Sequence, residues 1–449
     1  MLHFVKPSLS GDLSIRMTQL TLTSGLVPTS PFAFAYYGAV LVVVGRVKEG
    51  CRLGTYHIIM CEQMIHFHFC INSMLNKYLY IISLFAGRLA LKLVENKLAL
   101  VNRSAIILAV YFGILWTCEP LQSCIDAYEI GRRVGQQTGD YLYTQVNWQV
   151  CLITRYFVGE SLESLMAKLV DFIVTLQSQV DFKAVGFPIL LYHQARVLKE
   201  GLCELDVKAP DNIPTEKEVL QHPMSSAPLF RTNYKIHQLV RAYLFRRLDD
   251  LQSLDIVGVS DDIAKEKHQI RPQLLFGLFF EGLASFLLAR QTNDREQRAM
   301  WIEKGENVLT RIKYWSEHLS WNWGSKMVLL EAEKMYTIGS YNQASLFYDR
   351  AIRSAHEHKF VNDEAIASEL AGIFLCEEGL HAVKAEAILL HSVQCYKTWG
   401  ALAVAKRVET FIASKFGSDC MQQRLQWPSS DILADIFASN ESSRKRQER

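Results

Sequence analysis

Proline and glycine are scarce, 11 and 24 in 449 residues. A turn-rich β fold needs both at its chain reversals, so the elements here must be long, which favours helices. The ten cysteines run singly from Cys51 to Cys420, with no Cys-x-x-Cys pair. That argues against a zinc knuckle or a disulfide framework. No Gly-Lys dipeptide occurs, so the phosphate-cradling loop GxxxxGK[ST] cannot form. The HRD and DFG signatures of protein kinases are missing as well. Neither charge sign is in excess: 48 basic against 46 acidic side chains leave +2. A dedicated nucleic-acid or anionic-membrane binder would carry a basic surplus. Long apolar runs are absent too. Ser104–Cys118 is 15 residues, and the apolar run inside Lys77–Arg88 is shorter, whereas a membrane span needs about 20. Both read as buried helices, and no membrane span is expected. Met1–Met17 has no continuous apolar core of a signal peptide, so the cysteines are expected to be reduced, in a cytoplasmic protein.

What is present is apolar residue content, 49%, enough for a large core and too much for wholesale disorder. Its periodicity is clearest in Lys326–Glu357, KMVLLEAEKMYTIGSYNQASLFYDRAIRSAHE. Apolar residues recur at helical spacing on both sides of Gly339. Glycine accepts the left-handed conformation that ends a helix, and Ser340 with Gln343 has capping-box spacing. The segment is therefore expected to be a tight antiparallel hairpin. Small Ala332, Ala344 and Ala351 would face large Tyr341 and Tyr348 so that the two helices interlock. From Ala332 the pattern places Gly339, Ala344, Tyr348 and Ala351 at the offsets of a tetratricopeptide repeat, with His356 where the terminal proline would stand.

A second copy starts at Gly38 and puts Gly45, Gly50 and Gly54 on the same offsets. The next small position falls on His57. If residues 55–87 are taken out, it falls on Ala90 and the helical phase resumes. Residues 55–87 therefore read as an insertion, and a translated intron would give such a segment. The expected order along the chain is a helical array over 1–201 interrupted by that insertion, and a proline-containing loop or hinge over 202–231. A second array over 232–416 and a polar tail over 417–449 follow. Hairpin turns are expected about Gly159 and Gly379.

The runs Lys313–Trp323 (KYWSEHLSWNW), Tyr348–Phe374 (YDRAIRSAHEHKFVNDEAIASELAGIF) and Cys395–Glu409 (CYKTWGALAVAKRVE) carry a more particular likeness. They resemble the helical-repeat region of very large signalling proteins. In that family a serine/threonine-kinase-like domain and a STAND-type, AAA-related ATPase precede the repeats, and sensor domains and a histidine kinase often follow. The resemblance implies an all-α solenoid of stacked antiparallel hairpins, tetratricopeptide-like. Its implied role is a non-catalytic scaffold in signal transduction, whose partner is a protein or a neighbouring signalling domain. The other reading is a diverged or incomplete ATPase or protein kinase whose catalytic domains lie outside this sequence.

Candidate sites are few. His57, Cys61, His66, His68 and Cys70 form the densest metal-capable set. On one helix they divide between two faces and cannot converge tetrahedrally. Trp315, His318, Trp321 and Trp323 read as packing aromatics. His356 and His358 suit the negative end of a helix dipole and have no nucleophile to serve. Arg241, Arg246 and Arg247 read as the solvent face of an amphipathic helix, and Arg444–Arg446 as a solvated tail. No catalytic, cofactor-binding or metal-binding residue is expected. The residues expected to matter are those of repeat packing.

Overall fold

The computed structural model describes residues 102–177, 186–202, 213–253, 272–316 and 320–417, with shorter pieces within 13–43 and at 88, 90 and 91. Among the described residues there is no strand. The insertion at 55–87, Gly45, Gly50, Gly54, the His57–Cys70 set and the tail beyond Gly417 lie outside them. Two units emerge, one of residues 1–154 with 263–274, the other of 155–262 with 275–449. The proline-containing segment thus lies within the second unit.

The first unit contains α1 (Ser30–Val43), α2 (Arg103–Gly113), α3 (Leu121–Thr138) and most of α4 (Tyr141–Phe157). Gly38 lies within α1. Ala90 is buried with Ala35, Ile106, Ala109, Val110 and Leu115. The 15-residue apolar run folds as α2 and a 3-10 turn, and both are largely buried.

The second unit begins with α5 (Leu162–Gln177), α6 (Gly186–Glu200), the short α7 (Glu216–Gln221), α8 (Pro228–Leu244) and α9 (Leu248–Ser253). It continues with α10 (Pro272–Gln291), α11 (Arg295–Ser316), α12 (Ser320–Thr337), α13 (Tyr341–Glu357), α14 (Val361–Glu377), α15 (Ala382–Trp399) and α16 (Leu402–Phe416). From α11 to α16 each helix packs on the next. Of the proline-containing segment, residues 213–231 are described and contain helix. Thr215 and Glu218 make a complete capping box for α7, and Pro228 takes the first turn of α8, where its missing N–H costs nothing. Among the described residues only α10 is long and apolar enough to cross a membrane, and 89% of its most apolar 18-residue stretch is buried inside the protein. A helix that is apolar all round is a core helix when its surface is covered.

One device ends seven of the described helices. A residue two or three beyond the helix donates back across the last turn, as Ser340 N–H does to the Met335 carbonyl at 2.8 Å and Leu380 N–H to that of Leu375 at 2.9 Å. The intervening residue must be left-handed, and Gly339 and Gly379 have φ of 83° and 64°. At two turns a side chain occupies the glycine slot: Arg246 at 56° and Lys359 at 61°. The same back-bonds form there, Arg247 N–H to the Ala242 carbonyl and Phe360 N–H to that of Ala355, both 2.9 Å.

α12 and α13 pack on each other across the Gly339 turn. Ala332, Ala344, Tyr348 and Ala351 are fully buried. Two details differ from the sequence expectation. Ser340 makes no side-chain cap to the backbone; its hydroxyl instead donates to Gln343 Oε1 at 3.3 Å. Tyr341 is 42% exposed, because it sits at the rim of the turn and reaches only the edge of the Tyr336 and Phe374 rings, 6.3 Å from each.

The second unit also joins its ends. α6 packs on α16, Asn362 Nδ2 donates to the Phe157 carbonyl at 3.3 Å, and the rings of Tyr156 and Trp399 lie 6.1 Å apart. Phe276 bridges Tyr156 to Phe280, at 5.9 and 5.0 Å. The edge-on contacts in this chain suit ring quadrupoles.

Candidate functional site

The second unit carries its charges inside, so each buried cluster needs an account. The first lies between α8, α14, α15 and α16. Glu369, 1% exposed, receives Arg246 Nη2 at 2.6 Å and the Tyr396 hydroxyl at 2.8 Å, and Arg407 Nη2 lies 2.7 Å away. Burial alone would raise its carboxyl, but the two guanidiniums outweigh that and hold it down at about 2. This corrects the solvent-face reading of two arginines. Arg246 is drawn inward by Glu369, while Arg241 is buried and binds both oxygens of Glu216, at 3.0 and 2.9 Å. Arg247 does lie at the surface, beside Asp250. The periodicity marked one face as polar without revealing that acids on other helices cover it.

The second cluster ties α10 to α12 and α13. Arg290 Nη2 donates to Glu333 at 2.6 Å and its Nη1 to Thr337 Oγ1 at 2.8 Å, and the Tyr348 hydroxyl donates to the other oxygen of Glu333. The third joins Lys326 of α12 to Asp363 of α14, with Ser325 Oγ donating to the same carboxylate at 3.2 Å. These groups serve as helix-to-helix ties.

The fourth cluster is different in kind. Glu364 in the first turn of α14 and His391 and Cys395 on α15 converge on one point, and His356 in the last turn of α13 lies against Glu364. His391 and Cys395 are four apart and share a helix face. His391 Nε2 lies 2.7 Å from Glu364 Oε1 and 3.4 Å from Cys395 Sγ. His356 Nδ1 lies 3.0 Å from the same Oε1. Glu364, His391 and Cys395 are buried, while the His356 side chain is half-exposed. The donor atoms of Glu364, His391 and Cys395 lie within 4.8 Å of one another.

A cysteine beside a histidine and a glutamate suggests a nucleophile, but the geometry opposes it. A relay uses one imidazole nitrogen for the nucleophile and the other for the carboxylate. Here both crowd onto Nε2, and Nδ1 is buried without a partner among the described residues. Burial and the Glu364 charge also push the Cys395 thiol up, away from the reactive thiolate.

Sequence reasoning noticed His356 as a dipole residue and missed the other three. The only signal was the His391–Cys395 spacing, since Glu364 comes from another helix. Of the tryptophan set, Trp323 is buried; Trp321 is 42% exposed, with its ring 4.3 Å from that of His358. The side chains of Trp315 and His318 lie outside the described residues. No protein-family model matches the sequence, and no curated protein matches it.

Proposed function

We propose that this chain is a non-catalytic helical-repeat scaffold, a tetratricopeptide-like array that holds a protein partner or a neighbouring domain in cytoplasmic signal transduction. The observation that carries the reading is an apolar rim on the stacked helices. The α12–α13 and α14–α15 turns leave Ile338, Tyr341, Leu380 and Val383 exposed. Tyr341 reaches Glu378 at the end of α14, which makes the two turns neighbours. Apolar side chains gathered at one edge suit a protein surface better than a small substrate. The inward use of Glu333, Glu369 and Asp363 supports the same reading, because it fixes the helices and leaves the rim to do the binding. The likeness of Lys313–Trp323 and Tyr348–Phe374 to repeats of large signalling ATPases supplies the context.

Two measurements test it. Calorimetric titration with Mg-ATP should give no binding heat; micromolar binding would favour a diverged ATPase or kinase instead. A photo-crosslinking residue at Val383 should capture a defined protein in cells, whereas one at the exposed polar Arg350 should not. Equal capture at both positions would rule out the rim as the binding surface.

A further inference from the structure

From the convergence of Glu364, His391 and Cys395, with His356 beside Glu364 to complete the set, we infer a binding site for a divalent transition metal of zinc-like character, at the junction of α13, α14 and α15. The argument begins with protons. If His391 Nε2 carries a hydrogen and donates it to Glu364 at 2.7 Å, it has no lone pair to accept one from Cys395 at 3.4 Å. If it accepts from Cys395, nothing lies between it and the carboxylate. Glu364 Oε1 meanwhile faces a second imidazole nitrogen, that of His356 at 3.0 Å. Oε1 can accept from both imidazoles, but that arrangement leaves the His391 Nδ1 lone pair buried without a donor among the described residues and gives Cys395 no acceptor in Nε2. A cation among these donors would take a lone pair from each of Glu364, His391 and Cys395, with the His391 proton carried on Nδ1.

The distances suit this. Donors around tetrahedral zinc, at bond lengths near 2.0 to 2.3 Å, stand about 3.3 to 3.8 Å apart. The Cys395–His391 separation of 3.4 Å already matches, and the two shorter pairs need open by only about half an ångström. Two nitrogens, one oxygen and one sulfur favour zinc or cobalt over magnesium or calcium, which prefer all-oxygen shells. On binding, Cys395 loses its thiol proton to solvent and its sulfur bonds the metal; no redox change is involved. The half-exposed His356 side chain gives the ion its way in. Such an ion would clamp the end of one hairpin to the start of the next, a structural role compatible with the scaffold reading and independent of it.

The test is titration of the reduced, metal-stripped full chain with Co2+. The expected result is a thiolate-to-cobalt charge-transfer band, accompanied by tetrahedral visible absorption, that saturates near one equivalent and is displaced by Zn2+. Cys395→Ser should lose the charge-transfer band. The double variant Cys61→Ser/Cys70→Ser and the variant Cys376→Ser should keep it, which separates this site from the other sulfur-bearing positions. His356→Ala, at the solvent edge, should weaken Co2+ binding without altering the circular dichroism. It carries the test if Cys395→Ser does not fold. A folded wild-type chain with no band, a band that persists in folded Cys395→Ser, or an unchanged affinity in His356→Ala would overturn the assignment.

Discussion

The joint between α2, α3 and α4 in the first unit and the joint between α8, α14, α15 and α16 in the second both bring helices close around polar groups. They do so by opposite chemistry. In the first, Ser104 Oγ donates to the Gly131 carbonyl at 2.8 Å, and Asn147 Nδ2 reaches the Ser104 carbonyl at 3.2 Å and that of Tyr143 at 2.7 Å. Every group is neutral. Close approach is possible because the facing positions are glycine: a Cβ on Gly131 would lie 2.5 Å from Asn147 Oδ1, and one on Gly135 2.3 Å from Thr144 Oγ1. In the second joint the helices are held by Glu369 between two arginines. A neutral joint demands proximity and tolerates loss of one bond. A charged joint reaches further, and it fails badly when one member is removed, since the remaining charges stay buried.

The largest expected effect follows from that contrast. Glu369→Ala strands Arg246 and Arg407 and should cost about 3–5 kcal/mol in chemical denaturation. Replacing all three together, as Arg246→Met, Glu369→Leu and Arg407→Met, should recover most of the loss, because an apolar trio of similar volume avoids desolvation. If the triple variant is no more stable than Glu369→Ala, the charges do more than balance one another.

Acid should separate the two joints. The Glu369 carboxyl sits at about 2, against 4.5 for an ordinary glutamate. Its depressed value means that its stabilisation is complete above pH 4.5 and fades as pH falls towards 2, about 3 kcal/mol in all. The stability gap between wild type and Glu369→Gln should narrow across that interval, while the Ser104–Asn147 joint, with no ionisable member, should add no slope of its own. A gap constant from pH 5 to 2 would refute the assignment.

Overpacking sets the next scale. Gly135→Ala presses on Thr144, Ser104 and the Asp140 carbonyl, and Ala344→Leu presses on the buried face of α13. Each should cost about 1–3 kcal/mol, read as a lower melting temperature. The two left-handed side chains give a smaller and more pointed test. At Lys359 glycine relieves backbone strain, so Lys359→Gly should be neutral or stabilising by about 1 kcal/mol or less. Arg246→Gly relieves the same strain but severs the ion pair, and should destabilise. The smallest effect belongs to the surface: Lys199→Ala, whose partner Glu163 is largely exposed, should change stability by about 1 kcal/mol at most.

How much of this the sequence disclosed follows from the range of each interaction. The α12–α13 hairpin, the left-handed Gly339 and the buried alanines are written in residues within one or two turns of each other, and periodicity exposes them. The capping box at Thr215–Glu218 was equally local, but the surrounding prolines hid it. Arg246 with Glu369 is separated by 123 positions, and no spacing announces such a pair. The same holds for Glu364 and His391: a helix face can be read from sequence, and its neighbour cannot.

An open stack of repeats has no preferred length, since each added pair costs and returns about the same. The second unit is not free in that way. Because Tyr156 meets Trp399 and α6 meets α16, the number of helices between them is counted. Duplication of one hairpin, harmless in an open array, would drive those partners apart by roughly 20 Å, two helix diameters, and expose aromatic surface on both sides. Its size is therefore inherited whole: the protein can vary its rim residue by residue, but it cannot lengthen there.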